Sequence, residues 1–317
     1  PELSKIEGVT SFCHVLTESN TTHKSVPMLL SPVSAQNFDS IYYRKSIITA
    51  FKEAGFQTAF FSNQRYNHSF IDFFGMEADT YDFIKEDSQD SQYNPSDDEL
   101  LMLVEKELEK GNRKQFIVLH TYGSHFNYRE RYPETAAFFL PDFPVDAEVK
   151  YKDNLMNAYD NSIRYTDNFL ARIIHLLKQQ QVDASMLYTS DHGEDIFDDG
   201  RHLFLHASPV PSYYQLHVPL LLWTSDSYRE EYPGIEKAAS MNRQKNISSS
   251  ISFFQTMMEL AGIETSYRND SLSVTSPLYT EKSRVYLNDH NEPHSLDDIG
   301  MRKEDFEMLK KRGIDAQ

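Results

Sequence analysis

Short runs of consecutive apolar residues alternate along this chain with longer segments of helical periodicity. The short runs are strand-sized and predict buried strands at 57–62, 115–120, 186–189, 217–223 and 285–288. Apolar residues at steps of three and four predict helices at 46–54, 100–110, 154–180, 247–260 and 301–312. This alternation predicts an α/β domain with a mostly parallel central sheet and helices on both faces.

Length and charge limit the classes of function. The 317 residues are expected to form a single catalytic domain, 1–317, with a C-terminal subregion at 265–317. Its first residue, Pro1, reads as the middle of a domain, so we expect a first strand and a membrane region upstream. A formal net charge of −17 excludes a broad basic face for nucleic acid. The polar segment 88–98 is expected to be an exposed loop.

Candidate ligands follow three of the predicted strands. Asp191 and His192 come directly after the strand at 186–189, and Gly193 allows a turn that aims both side chains at one metal ion. His125 follows the strand at 115–120, and Asn63 follows the strand at 57–62. Ligands of open α/β sheets bind beyond the carboxyl ends of the strands. A polar turn, a solvated histidine and a turn amide are the respective alternatives.

Two further histidines lie downstream of Asp191 and His192. His206 follows a short apolar stretch that returns the chain toward the same edge, but His202 is an equal candidate on spacing alone. The pair Asp289 and His290 also follows a predicted strand. It lacks the Gly-Glu turn, so we expect it to be structural or at the rim of the site.

A threonine near the start of the chain is a candidate nucleophile. Residues 19–27 place hydroxyl and amide side chains before an apolar run, which resembles a helix N-terminus. The N–H groups there favour phosphate oxygens. A bound metal could activate the hydroxyl of Thr22 for attack, and a simple capped helix is the alternative.

Taken together, these segments resemble the bacterial phosphoethanolamine transferases of the alkaline-phosphatase superfamily, which modify lipid A and related envelope glycolipids. Residues 248–263 also resemble the closing helix of that family. The other segments occur in family order: SNTTHKSVPMLLS (19–31), FFSNQ (60–64), HTYGSHFNYRERYP (120–133), YDNSIRYTDNFL (159–170), TSDHGED (189–195), FLHASP (204–209) and HVPLLLW (217–223).

The resemblance implies a reaction and a role for each candidate. It implies zinc-dependent transfer of phosphoethanolamine from phosphatidylethanolamine to a glycolipid such as lipid A, through a phosphorylated Thr22. Asp191, His192 and Thr22 correspond to metal ligands, and the substrate-binding positions are His125, His206 and Asn63. It also implies a monomeric enzyme of the bacterial inner membrane, with its catalytic domain facing the periplasm and its membrane region outside this chain.

The chain departs from the family pattern in two respects that keep alternatives open. The remaining zinc ligand of the family is a Glu ending the first strand, expected upstream of Pro1. The best-known members are rich in disulfides, which a single cysteine, Cys13, excludes here. A phosphoglycerol transferase, a phosphodiesterase of the superfamily and a metal-free scaffold domain are the alternatives. Cys13 lacks the Pro and Arg of a type I sulfatase motif.

Overall fold

The structure is a computed structural model that describes residues 1–85, 94–111 and 114–316. Residues 88–93 of the predicted polar loop lie outside the described residues. The described strands are β1 (Val9–Phe12), β2 (His14–Leu16), β3 (Gln57–Ser62), β4 (Thr80–Phe83), β5 (Gln115–His120), β6 (Ser185–Thr189), β7 (Asp195–Ile196), β8 (Phe204–Leu205), β9 (Leu220–Thr224), β10 (Asn246–Ser248), β11 (Val285–Leu287) and β12 (Pro293–Ser295).

The helices alternate with these strands. The described α-helices are α1 (Thr22–Leu29), α2 (Ile47–Glu53), α3 (Phe70–Gly75), α4 (Asp98–Glu109), α5 (Lys152–Gln179), α6 (Tyr213–Leu216), α7 (Asp226–Glu231), α8 (Pro233–Asn242), α9 (Ser249–Leu260) and α10 (Lys303–Lys311). Short 3-10 helices span Leu3–Lys5, Ala35–Tyr43, Tyr128–Arg131, Glu134–Ala136, Val149–Tyr151 and Asp270–Leu272. The α/β fold class predicted from the sequence is confirmed.

The chain divides into two compact units. Unit 1 contains a parallel sheet of strand order β4-β3-β5, in which β3 is central. Five consecutive residues of β3 are buried, as expected for a strand covered on both faces. Unit 1 comprises Pro1–Glu7, Phe51–Gln181 and Ile196–Leu205, and unit 2 comprises Gly8–Ala50, Val182–Asp195 and His206–Gln317.

Unit 2 is organised around β9. This strand pairs antiparallel with both β1 and β6, while β10 pairs parallel with β2. The sequence predicted this strand at 217–223, but it begins at Leu220. Pro219 lacks an N–H for the ladder, and the ring of His217 bonds to Tyr213 Oη at 2.9 Å instead. The core on this sheet includes Phe12, Val15, Val218, Leu220, Leu222, Ile247 and Leu260.

The length and the apolar content of a helix decide whether it could cross a membrane. The longest helix, α5, has 28 residues, and its buried positions include Leu155, Phe169, Leu170 and Ile174. Its exposed positions include the charged residues Asp153, Asp160, Arg164, Arg172 and Lys178. Among the residues that the structure describes, no helix combines the length and the apolar character needed to cross a membrane.

The connection between β2 and α1 is polar and yet buried. Every side chain of residues 17–21 is less than a tenth exposed. Oε2 of Glu18 accepts a hydrogen bond from the Ala35 N–H at 3.0 Å, and its Oε1 has no hydrogen-bond partner among the described residues. Burial raises the pKa of Glu18 to about 7, against the opposing effects of the Ala35 N–H and of Arg284.

Glu18 is expected to make stability depend on pH. Its folded-state pKa of about 7 exceeds the ordinary 4.5, so the folded protein binds the extra proton and loses stability as pH rises through that window. The loss is about 3 kcal/mol. Because Glu18→Gln imitates the protonated form, it should be more stable than the wild type at pH 8 and nearly equal at pH 5, as measured by urea unfolding. Exposed Glu7→Gln is the control, and equal pH dependence in both variants would contradict the assignment.

Candidate active site

Thr22 is the first residue of α1, and its position follows from the loop before it. The residue before it, Thr21, has extended backbone angles and is the N-cap of the helix. The hydroxyl of Thr17 donates to the main-chain oxygen of Asp191 at 2.8 Å, and Ser25 Oγ donates to Asp191 Oδ2 at 3.2 Å. The start of α1 is therefore tied to the turn that follows β6.

Asp191 and His192 lie in that turn. Gly193 N–H donates to the main-chain oxygen of Gln215 at 2.8 Å. A Cβ on Gly193 would lie 2.1 Å from the main-chain oxygen of Tyr214, so only glycine fits this close approach of two backbones. The turn predicted from the sequence is thus present, and its glycine is required by packing.

The ring of His192 is oriented by a main-chain contact. Its Nδ1 lies 3.0 Å from the main-chain oxygen of Gly193, which can only accept, so Nδ1 carries a proton. Its Nε2 lies 3.1 Å from Thr22 Oγ1 and 3.4 Å from Asp191 Oδ2. The three predicted groups therefore meet in unit 2.

His206 joins the same cluster. Its ring centroid is 4.1 Å from that of His192, with the two planes 33° apart. Its Nδ1 bonds to Glu194 Oε1 at 3.0 Å, and the Glu194 side chain is only 6% exposed. Since a carboxylate accepts, Nδ1 of His206 is the protonated nitrogen. Glu194 was missed by sequence reasoning, although its place two residues after His192 is a usable signal.

The two remaining predicted residues belong to unit 1. Asn63 is buried, and its Nδ2 donates to the main-chain oxygen of Pro95 at 3.0 Å and to Asp97 Oδ1 at 2.8 Å. These bonds hold the loop before α4. His125 lies beyond β5, where its ring meets Tyr122 edge-on at 5.0 Å. The substrate-binding roles of both residues stay predictions.

The donor set near Thr22 fits part of a zinc site. Zinc in proteins takes imidazole nitrogen and carboxylate oxygen, and it tolerates an additional oxygen donor. His192 directs its Nε2 toward Thr22 and Asp191, and its opposite nitrogen is held by a main-chain carbonyl, as is usual for metal-binding imidazoles. Among the described residues, no group of three or more His, Cys, Asp and Glu side chains could hold a metal ion. The roles of Asp191, His192 and Thr22 as metal ligands therefore stay predictions.

A second Asp-His pair, unlike Asp191 and His192, lies on the surface. Asp289 and His290 are exposed in the turn after β11. The neighbouring main-chain oxygen of Asn288 accepts a hydrogen bond from Lys24 Nζ at 2.7 Å, and burial lowers the pKa of Lys24. The Asp289 pair thus lies on a surface turn next to α1, which agrees with the expectation that it is structural or at the rim.

Comparison with known proteins identifies first the fold and then the family. The fold is that of alkaline-phosphatase-like domains: the crystal structure of the C-terminal periplasmic domain of EptC from Escherichia coli, in complex with Zn, has a TM-score of 0.83 at 24% identity. That match covers 94% of this chain and 85% of the other. A model of the sulfatase family matches residues 1–263, so the chain belongs to the sulfatase family.

Two curated relatives match about half of the chain. Phosphoethanolamine transferase EptA of Escherichia coli strain K12 is 36% identical over 157 residues, which is 48% of this chain and 28% of the relative. The Kdo(2)-lipid A phosphoethanolamine 7''-transferase of the same strain is 33% identical over 156 residues, or 47% of this chain and 27% of the relative. The chain thus covers less than a third of either relative.

Gly193 should tolerate no larger residue. A methyl group at this position would overlap the backbone of α6, which cannot move without disturbing the core. Gly193→Ala is therefore expected to lower the free energy of unfolding by about 1–3 kcal/mol. Gly200→Ala, where a Cβ meets nothing within 4 Å, is the matched control. Urea unfolding of both variants measures the difference, and equal stability would show that the turn can shift.

Proposed function

We propose that this chain is the catalytic domain of a phosphoethanolamine transferase that modifies an envelope glycolipid such as lipid A. One observation carries the proposal: the Thr22 hydroxyl, at the first residue of α1, lies 3.1 Å from the Nε2 of His192 beside the Asp191 carboxylate. A hydroxyl held against a ligand pair at a helix N-terminus suits a nucleophile for phosphoryl transfer.

Zinc is the proposed cofactor, and Asp191, His192 and Thr22 are the residues that would hold it. When bound, zinc acts as a Lewis acid that activates a hydroxyl and neutralises developing negative charge. The main-chain N–H groups of Thr22 and His23 open α1, and we expect them to receive phosphoryl oxygens. The other zinc ligand, a Glu upstream of Pro1, stays a prediction from the resemblance.

The first half of the reaction loads Thr22. The proposed donor is phosphatidylethanolamine, whose phosphorus is attacked by Thr22 Oγ1. The Oγ1–P bond forms, the bond from phosphorus to the diacylglycerol oxygen breaks, and the proton lost by Thr22 ends on that oxygen. His206 is the proposed partner of the phosphoryl oxygens within unit 2. Glu194 orients His206 by accepting from its Nδ1.

The second half unloads Thr22 onto the acceptor. A phosphate or hydroxyl oxygen of the glycolipid attacks the same phosphorus, the Oγ1–P bond breaks, and a proton from the acceptor returns to Thr22. The named activities of the EptA and Kdo(2)-lipid A relatives support this acceptor class. The EptC structure, described as a periplasmic domain, supports a catalytic domain facing the periplasm of an inner-membrane enzyme.

Thr22→Ala should abolish transfer. Removing the attacking oxygen is expected to reduce turnover on the order of 10⁴-fold, because no intermediate can form. The protein is incubated with phosphatidylethanolamine, quenched with acid and examined by intact mass for one added phosphoethanolamine group. Thr22→Ser keeps a hydroxyl and should retain a detectable adduct.

The same assay separates the rival donors and functions. Wild-type protein that forms an adduct with phosphatidylglycerol instead would be a phosphoglycerol transferase. Release of the headgroup to water without glycolipid modification would identify a phosphodiesterase. An adduct that persists in Thr22→Ala would overturn the nucleophile assignment.

Zinc content should depend on one Asp-His pair and not on the other. Replacing Asp191 with Ala removes a proposed ligand, so zinc per protein should fall by at least half in metal analysis by mass spectrometry. Asp289→Ala is the matched control, because this residue also precedes a histidine after a strand but is exposed. Equal zinc loss in the two variants would remove the support for the Asp191 site.

A further inference from the structure

Gln215 is a fully buried amide with a complete set of hydrogen bonds. It lies in the four-residue helix α6 and has no exposed surface. Its Oε1 accepts from Asn20 Nδ2 at 2.6 Å. Its Nε2 donates to Asp195 Oδ2 at 2.5 Å and to Ser208 Oγ at 2.9 Å. One side chain therefore contacts three separate segments of the chain.

Each of these segments carries a residue of the candidate site. Asn20 lies two residues before Thr22, Asp195 three residues after His192, and Ser208 two residues after His206. The main chain adds to these contacts, because Gly193 N–H donates to Gln215 O at 2.8 Å and Ala207 N–H donates to Asn20 O at 3.2 Å. Gln215 is thus the common partner of the three loops in unit 2.

The hydrogen bonds around Gln215 have a fixed direction. Asp195 can only accept when charged, and its other oxygen already accepts from Ser212 Oγ at 2.7 Å. Asn20 presents its amide nitrogen to Gln215, because its own oxygen accepts from Tyr286 Oη at 2.7 Å. The position between them needs one acceptor and one donor, which glutamine supplies and glutamate or an apolar residue does not. An apolar residue would leave Asp195 and Asn20 short of partners.

We propose that Gln215 is a positioning residue of the transferase site, an inference that rests on the proposed function. Through Asn20, Asp195 and Ser208 it sets the distances among the Thr22 hydroxyl, the His192 ring and the His206 ring. Gln215 itself touches none of the reacting atoms. An error of about 1 Å in such an arrangement can cost on the order of 100-fold in rate.

The test reverses the hydrogen bond between Gln215 and Asp195. Gln215→Glu places two carboxylates in contact and should lower kcat about 10- to 100-fold with little change in KM. The double variant Gln215→Glu with Asp195→Asn restores a donor and an acceptor in the opposite direction, so kcat should return to within a few-fold of wild type. Transfer is measured on the full protein in detergent with phosphatidylethanolamine as donor, per mole of folded protein.

A second buried glutamine is the matched control. Gln255 lies on α9, and its side-chain amide is likewise buried and hydrogen-bonded on both sides. Its partners are main-chain groups, since it donates to Tyr267 O and accepts from Asn269 N–H. Gln255→Glu should lower the unfolding midpoint and leave kcat unchanged. If Gln215→Glu behaves like Gln255→Glu, or if the double variant is no better than Gln215→Glu, Gln215 has only a structural role.

A structural readout separates this inference from the proposed function. If the wild type transfers no phosphoethanolamine, the proposed function fails, but the positioning role can still be measured. Crystal structures of the wild type and of Gln215→Glu then compare the distance from Thr22 Oγ1 to His192 Nε2, which is 3.1 Å here. A separation beyond hydrogen-bond range in the variant supports the positioning role, and an unchanged separation overturns it.

Discussion

The candidate site depends on the close approach of two backbones, the turn after β6 and helix α6. The Gly193 N–H bonds to Gln215 O at 2.8 Å, and the Gly193 Cα lies so near Tyr214 O that a methyl group would clash. A peptide held this tightly leaves its flanking side chains few orientations. The ring of His192 is therefore fixed on both sides, by the Gly193 carbonyl and by Thr22. Preorganisation of this kind suits phosphoryl transfer, where catalysis is mostly placement and electrostatics.

Periodicity predicted the strands that carry a continuous apolar run and missed several that do not. Two of the three strands of the parallel sheet, β3 and β5, have the bounds that their continuous apolar runs predict. The short strands β1 and β2 were not predicted, because VTSF and HVL carry no such run. The apolar pattern also did not predict strand direction. β9 is continuously apolar, as parallel strands usually are, and yet it runs antiparallel to β1 and β6. Partner choice depends on distant segments, which local periodicity does not report.

The site itself was predicted unevenly for a similar reason. Asp191, His192 and Thr22 were predicted because each follows a strand or starts a helix, which is visible locally. Spacing could not choose between His202 and His206, and only the structure places His206 against the ring of His192. Ser25, Thr17 and Gln215 had no local signal, because each has a partner more than 160 residues away in the chain. Long-range hydrogen bonds of buried polar residues leave no periodic pattern.

The buried polar loop before α1 explains why such bonds matter here. Residues 17–21 have no apolar side chain to hold them, so their order comes from hydrogen bonds to the turn after β6 and to α6. These bonds stabilise the loop, because an unpaired buried group costs about 1–3 kcal/mol. A loop held by directional bonds has fewer alternative packings than one held by apolar contacts, which are nondirectional. The position of Thr22 is therefore determined by polar partners in the same unit, and this arrangement keeps its hydroxyl aimed at His192.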